Sequence, residues 1–252
     1  IDQVSYESYG EELGRNIADL VKRLRENRYR ASDIRRVWIP KADGKERPLG
    51  IPVLEDRIVQ RGVAEILSAI YEQDFLDVSY GFRAGKSGHD ALKTLELSIM
   101  RSGINYLVDV DIKGYFDHVD HKWLMRMMKE RIVDRTILRL IGKWLRAGVL
   151  EEGERIRNEV GVPQGGVISP LLANIYLHYV LDLWIMRKVR RELAGRIYLI
   201  RYADDFVIGC TDGGDAQKVW GILPDRLKQF GLELSPEKSR LIGFGRRAYL
   251  EE

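Results

Sequence analysis

Cysteine is almost absent from this chain, with Cys210 standing alone among 252 residues. One thiol excludes an internal disulfide framework and any cysteine-rich zinc site. Histidine is scarce too, and His89, His118, His121 and His178 show no ligand-like spacing, so they are read as structural. No apolar run approaches the ~20 residues that a membrane span requires, and no charged-then-apolar leader opens the chain. A soluble, cytoplasmic protein with no membrane partner is expected. Internal repeats and low-complexity tracts are also missing. An excess of one charge is nearly missing as well: 41 basic and 38 acidic residues leave a net charge of +3, which as an average says little about partners.

The distribution of charge is more informative. Between Arg15 and Arg47 eleven basic residues face five acidic ones, and Arg187, Lys188, Arg190, Arg191, Arg196 and Arg201 form a second cluster with only Glu192 inside it. Two such patches suggest contact with a polyanion, or else solvated faces. Hydrophobic residues make up 45%, so a chain of this length buries roughly 70–75% of its unfolded surface as one large domain or two intimate ones.

Ile17, Leu20, Val21 and Leu24 recur at helical spacing and predict an amphipathic helix over 11–28. Val37-Trp-Ile39 and Leu49-Gly-Ile51 flank Lys41-Ala-Asp-Gly-Lys45, a hairpin signal with Lys41, Lys45 and Arg47 at its tip. A helix is expected from Glu55 to about Phe75, and Ser87-Gly-His-Asp90 resembles a capping box opening another through Met100. Tyr106–Ile112 is an apolar run of strand length that carries Asp109 and Asp111. Helices follow near 120–130 and 134–147, then a Gly/Pro loop at 161–166. Ser169 is expected as the N-cap, and Pro170 as the first-turn proline, of a long helix to about 190. Ile197–Tyr202 and Phe206–Cys210 are separated only by Ala203-Asp204-Asp205, a tight hairpin with acids at its tip. A helix at about 214–230 and β-like segments near 232–234 and 240–244 complete an α+β pattern with an antiparallel element.

Asp111 ends one predicted strand, and Asp204 and Asp205 sit between two others. Should these strands pair, the three carboxylates converge at one sheet end. Clustered carboxylates repel unless a cation neutralises them, and hard oxygen donors suit Mg²⁺. Two such ions about 3.5–4 Å apart stabilise the attacking and leaving oxygens of a phosphoryl transfer. Asp109 shares a strand face with Asp111.

Taken together, these segments resemble the reverse transcriptases. Tyr202-Ala-Asp-Asp205, within Arg201-Tyr-Ala-Asp-Asp-Phe-Val-Ile208, is similar to the catalytic box of that family. Asp111-Ile-Lys-Gly-Tyr-Phe-Asp117 resembles the first aspartate motif, and Gly161-Val-Pro-Gln-Gly-Gly-Val-Ile-Ser-Pro-Leu-Leu-Ala-Asn174 the template- and nucleotide-binding motif. Arg47-Pro-Leu-Gly-Ile-Pro52, Asp56-Arg-Ile-Val-Gln60 and Tyr80-Gly-Phe-Arg83 resemble the fingers of the group II intron-encoded branch. Ser169-Pro170 favours that branch, CRISPR-associated relatives included, over diversity-generating and retron enzymes.

The resemblance implies a right-hand polymerase with an antiparallel palm sheet packed by helices: fingers over 1–103, ending an N-terminal extension and carrying the basic hairpin, and a palm over 104–252. The thumb and maturase region of such proteins are expected to be absent. Asp111, Asp204 and Asp205 match metal ligands for two Mg²⁺ ions, with Mn²⁺ as a substitute. Lys41 and Arg47, with Arg35, match residues that grip the incoming triphosphate, while Gln164 and Gly165 match a close approach to the nucleotide. Phe116 matches the aromatic that excludes a 2′-hydroxyl, and Lys238 a lysine proposed to protonate departing pyrophosphate. The implied activity is RNA-directed DNA synthesis linked to intron splicing and retrohoming, with an RNA template, a DNA or RNA primer, dNTPs and intron RNA as partners. The rival readings are a non-catalytic or dual-role RNA-binding maturase scaffold, a CRISPR-associated reverse transcriptase, and a different palm enzyme such as a nucleotidyl cyclase.

Overall fold

The computed structural model describes residues 4–40, 44, 46–151, 154–156 and 160–244. Local signals set most of the helices. Ser5 caps α1 (Tyr6–Glu11), and α2 (Leu13–Arg25) follows and buries Leu20. The strands β1 (Ile34–Pro40) and β2 (Glu46–Ile51) form the expected antiparallel hairpin, with Val37 opposite Leu49. Lys41, Lys45 and most of the hairpin tip lie outside the described residues. In α3 (Leu54–Tyr71) the stripe Val59, Val63, Leu67 and Tyr71 is buried at a four-residue interval, the period that keeps one helical face on the core. The Ser87–Asp90 capping box is present and opens α4 (Gly88–Ser102).

After β3 (Tyr106–Val110) come the short α5 (Tyr115–His118), α6 (His121–Lys129, capped by Asp120) and α7 (Arg135–Leu145, capped by Asp134). Two strands without a clear sequence signal follow, β4 (Val149–Glu151) and β5 (Glu154–Ile156). The helix α8 (Ser169–Leu177) continues through π-helical turns at His178–Asp182 and Trp184–Lys188 into a 3-10 turn at Val189–Glu192. Its cap corrects the sequence reading: Ile168 occupies the N-cap without a side-chain bond, and Ser169 is already helical. The chain then forms β6 (Ile197–Tyr202), β7 (Asp205–Cys210), α9 (Gly213–Lys228) and β8 (Arg240–Gly243).

Two four-stranded sheets result. The first has the order β2-β1-β4-β5, with β4 parallel to β1. The second has the order β6-β7-β3-β8, with every neighbouring pair antiparallel. α8 is buried along nearly its whole length, Leu171 through Leu177, as expected of a helix apolar on all sides at the centre of a domain. Its residues share one core with Val108 and Ile208 of the second sheet, Val219 and Leu223 of α9, and Leu67 of α3.

Candidate active site

The second sheet brings the predicted aspartates together through its register. Val110 pairs with Phe206 and Tyr202 with Asp205. One step past Val110, Asp111 therefore faces the position of Asp205 at the sheet end. The Asp111 backbone is held there from the opposite strand side: its N–H donates to Ser239 Oγ (3.1 Å), and its carbonyl accepts from the Ser235 N–H (2.9 Å). The same turn places Lys238 Nζ 3.4 Å from Asp111 Oδ1, while Arg240 Nε reaches Asp109 Oδ2 at 3.2 Å. Asp109, Asp111, Asp205, Lys238, Tyr202 and Leu92 line one open cavity of about 340 Å³.

Asp204 is half-buried in the hairpin turn, where Ala203 adopts a left-handed backbone (φ 57°). Burial holds the Asp204 carboxyl above the ordinary carboxylate range, and the charges of Asp205 and Asp111 push the same way. Burial also raises Asp205, with Asp111 adding to the rise and Lys238 opposing it. Such mutual repulsion is the electrostatic signature of a site that a cation would relieve, and all the donors are hard carboxylate oxygens. Among the described residues, however, no three His, Cys, Asp or Glu side chains close into a ready-made metal cage.

A second hollow, of about 540 Å³, lies between the first sheet and the 161–166 loop and is lined by Arg36, Pro48, Gly50, Asp117, Gly161 and Gln164. The 161–166 loop is laced to both of its walls. The Val162 N–H donates to the Phe116 carbonyl (2.7 Å), and the Gly50 N–H donates to the Gln164 carbonyl (2.5 Å). Glycine is required where the loop turns: Gly165 has φ +105° and a β-carbon there would lie 2.7 Å from the Gly50 oxygen, while Gly161, at φ +91°, packs on the Asp117 backbone. Phe116 is half-buried beside this loop, its ring edge-on to Tyr115 at 5.5 Å.

The register sets Arg35 and Arg47 on the same face of the β1–β2 hairpin. Arg47 is exposed on β2 opposite Ile39, and Lys41 lies outside the described residues. Arg35 points away from Gln164 and lines another hollow with Tyr6, Glu7, Ile51 and Arg57. Its neighbour Arg36, on the opposite strand face, is the arginine beside Gln164, and Glu151 of β4 holds it at 3.0 Å. Arg201 is a correction: it does not join an exposed basic patch but is wholly buried against Asp182, at 2.7 Å. The sequence sign was available, since a charge within each of two apolar segments implies a buried pair. Arg187, Lys188, Arg190, Arg191 and Arg196 are exposed.

The sequence matches the reverse transcriptase (RNA-dependent DNA polymerase) family over residues 39–245, most of the chain. The chain belongs to that family. This reverse transcriptase domain is 42% identical over 185 residues to the group II intron-encoded protein LtrA of Lactococcus lactis subsp. cremoris, covering 72% of the chain and 30% of LtrA. It is 36% identical over 247 residues to protein YkfC of Escherichia coli K12, covering 84% of the chain and 64% of YkfC. The domain thus spans less than two thirds of the length of these relatives. Its fold is similar to that of telomerase from Candida albicans, solved with a fragment of telomeric RNA, with a TM-score of 0.66 at 16% identity, covering 91% of the chain and 46% of the telomerase. Among the described residues no helix is long and apolar enough to cross a membrane.

Proposed function

We propose that this chain forms the fingers (1–103) and palm (104–252) of an RNA-directed DNA polymerase of group II intron type. The observation that carries this reading is the register that sets Asp111 opposite Asp205 at one sheet end, beside a cavity and next to the Asp204 turn. Asp111, Asp204 and Asp205 would hold two Mg²⁺ ions, or Mn²⁺ in their place. When bound, the metal supplies charge stabilisation to the attacking and leaving oxygens. The primer 3′-hydroxyl, giving up its proton to solvent, attacks the dNTP α-phosphorus, the bond to the bridging oxygen of the β-phosphate breaks, and pyrophosphate leaves.

The chain's own groups have separable tasks. Lys238, exposed beside Asp111, donates a proton to pyrophosphate as it departs. Arg47, with Lys41 and Arg35, neutralises the charge of the incoming triphosphate. Gln164 and Gly165 form a loop whose backbone is set by contacts with β2 and so presents a fixed surface to the base pair being formed. Phe116 borders the sugar. The partners are an RNA template, a DNA or RNA primer and dNTPs. A splicing role with intron RNA is favoured by the exposed basic turn from Arg187 to Arg196, a surface suited to a polyanion.

Primer extension on an RNA template, with and without Mg²⁺, tests the reading. The wild-type chain should incorporate dNTPs only with the metal, and Asp111→Ala or Asp204→Ala should abolish incorporation while circular dichroism stays native. Near-native extension by either variant would remove the metal-ligand assignment.

A further inference from the structure

Arg201 has five guanidinium N–H donors and uses all of them inside the protein. Nε donates to Asp182 Oδ1 (2.8 Å) and Nη2 to Asp182 Oδ2 (2.7 Å), a two-pronged ion pair at zero solvent exposure. Nη2 also donates to Ser79 Oγ (2.8 Å). Nη1 donates to Asn174 Oδ1 (2.9 Å) and to the Ala203 carbonyl (2.8 Å). That last bond lands on the peptide immediately before Asp204.

The surroundings fix the same turn from the other side. The Arg201 backbone is clamped by residues 78–80, with its N–H on the Val78 carbonyl and its carbonyl taking the Tyr80 N–H, both at 2.8 Å. A β-carbon on Gly81 would collide with the Ala203 backbone nitrogen, so the Tyr80-Gly-Phe-Arg83 segment lies directly against the turn. Asn174 of α8 completes the ring: its Nδ2 donates to the Gly81 carbonyl at 2.7 Å while its Oδ1 receives Arg201. Arg83, paired with Glu72, donates to the carbonyls of Leu76 and Ser79 and stiffens this loop. Ala203 is a non-glycine residue in the left-handed region, a conformation that persists only where its surroundings over-determine it.

We propose that Asp182 is a positioning residue for the polymerase site: by neutralising and orienting Arg201 it fixes the Ala203 carbonyl, and with it the direction in which Asp204 and Asp205 are presented. Asp182 closes the π-helical turn after α8, and turns of this kind often mark functional positions. The inference rests on the proposed polymerase activity for its kinetic consequence but not for its structural one.

Two measurements separate these. Hydrogen–deuterium exchange of the peptide spanning 202–206 should speed up at least about tenfold in Asp182→Asn, with α9 as protected as in wild type, because the opening is local. In primer extension the same variant should lose about 10- to 100-fold in kcat, the scale for supporting partners of metal ligands. Its KM for dNTP should stay within about twofold, and the Mg²⁺ concentration for half-maximal rate should rise. Leu20→Ala, a core truncation in α2, serves as a control matched for lost thermal stability and should change neither the turn exchange nor the Mg²⁺ dependence. Should Asp182→Asn not fold, Ser79→Ala removes one acceptor from Arg201 and should show the same effects on a smaller scale. Wild-type exchange at the turn in a folded Asp182→Asn or in Ser79→Ala overturns the proposal, as does an equal change in Leu20→Ala. A wild-type chain that extends no primer would count against the polymerase reading, and the exchange result would still decide the positioning role.

Discussion

Gly165 lies against Gly50: a β-carbon on Gly165 would stand 2.7 Å from the Gly50 carbonyl oxygen, and the Gly50 N–H donates to the neighbouring Gln164 carbonyl. A loop from the second half of the chain is thereby seated on a strand of the first sheet, and the hollow beside Gln164 takes its shape from that contact.

Gly165→Ala should therefore lower stability by about 1–3 kcal/mol, because the new side chain meets both a collision and an unfavourable φ. Gly221→Ala is the opposite case: it lies in α9, and an added β-carbon has nothing within 4 Å, so it should gain about 0.5–1 kcal/mol from helix propensity. Urea unfolding of the two variants should shift the midpoint in opposite directions.

The raised carboxyls of Asp204 and Asp205 carry a pH signature. An acid whose folded pKa lies above its unfolded value favours the fold while protonated, and that contribution is lost as pH rises through the folded value. In metal-free buffer Asp204→Asn should thus melt at a higher temperature than wild type near pH 7, and the difference should shrink as pH falls toward about 4, the ordinary aspartate range. Adding Mg²⁺ should raise the wild-type melting temperature more than the variant's. A difference that grows on acidification would contradict the raised carboxyls that burial and the neighbouring charges give this turn.

Arg47→Ala should weaken use of the nucleotide, lowering kcat/KM for dNTP by the equivalent of about 1–3 kcal/mol if it makes one charge-assisted phosphate contact. Affinity for the RNA template should hold. Steady-state kinetics paired with a filter-binding titration read both, and a parallel loss would move Arg47 to template binding.

Phe116→Val should raise incorporation of rNTPs relative to dNTPs, because a smaller side chain relieves the clash with a 2′-hydroxyl, and the change should appear in kcat/KM. Phe116 is half-buried and packs on the core through Tyr115, so some loss of stability is expected as well. An unchanged rNTP/dNTP ratio with lower stability would make it a packing residue alone.

Features decided by neighbours in sequence could be read from the sequence. The Ser87–Asp90 capping box and the β6–β7 hairpin depend on residues within three positions of one another or on a two-residue turn. The aspartates of the site were legible because an acid inside or beside an apolar strand is costly unless something answers it. The cap of α8 falls one residue before the Ser169 that local cap preference favours, because the turn from Gly166, whose carbonyl takes the Ser169 N–H, already carries Ser169 into the helix and leaves Ile168 at the cap.

What remained belonged to the tertiary structure. β4 and β5 are three-residue strands: the place of β4 is set by pairing with β1, more than a hundred positions away, and β5 pairs in turn with β4. Whether Arg35 or Arg36 faces Gln164 is a matter of strand parity, and parity acquires meaning only when one face of β1 is covered by the 161–166 loop and Glu151. Arg201 reads as one more positive charge in a basic segment until α8 and its π-helical turn bring Asp182, Asn174 and the Ser79 loop around it. Residue type and local spacing suffice for the donor chemistry, a set of carboxylates at strand ends, because both are written along the chain before any folding. The tertiary structure alone decided which charges meet those carboxylates and which are buried to hold them in place, because burial and pairing are properties of segments that become neighbours only after folding.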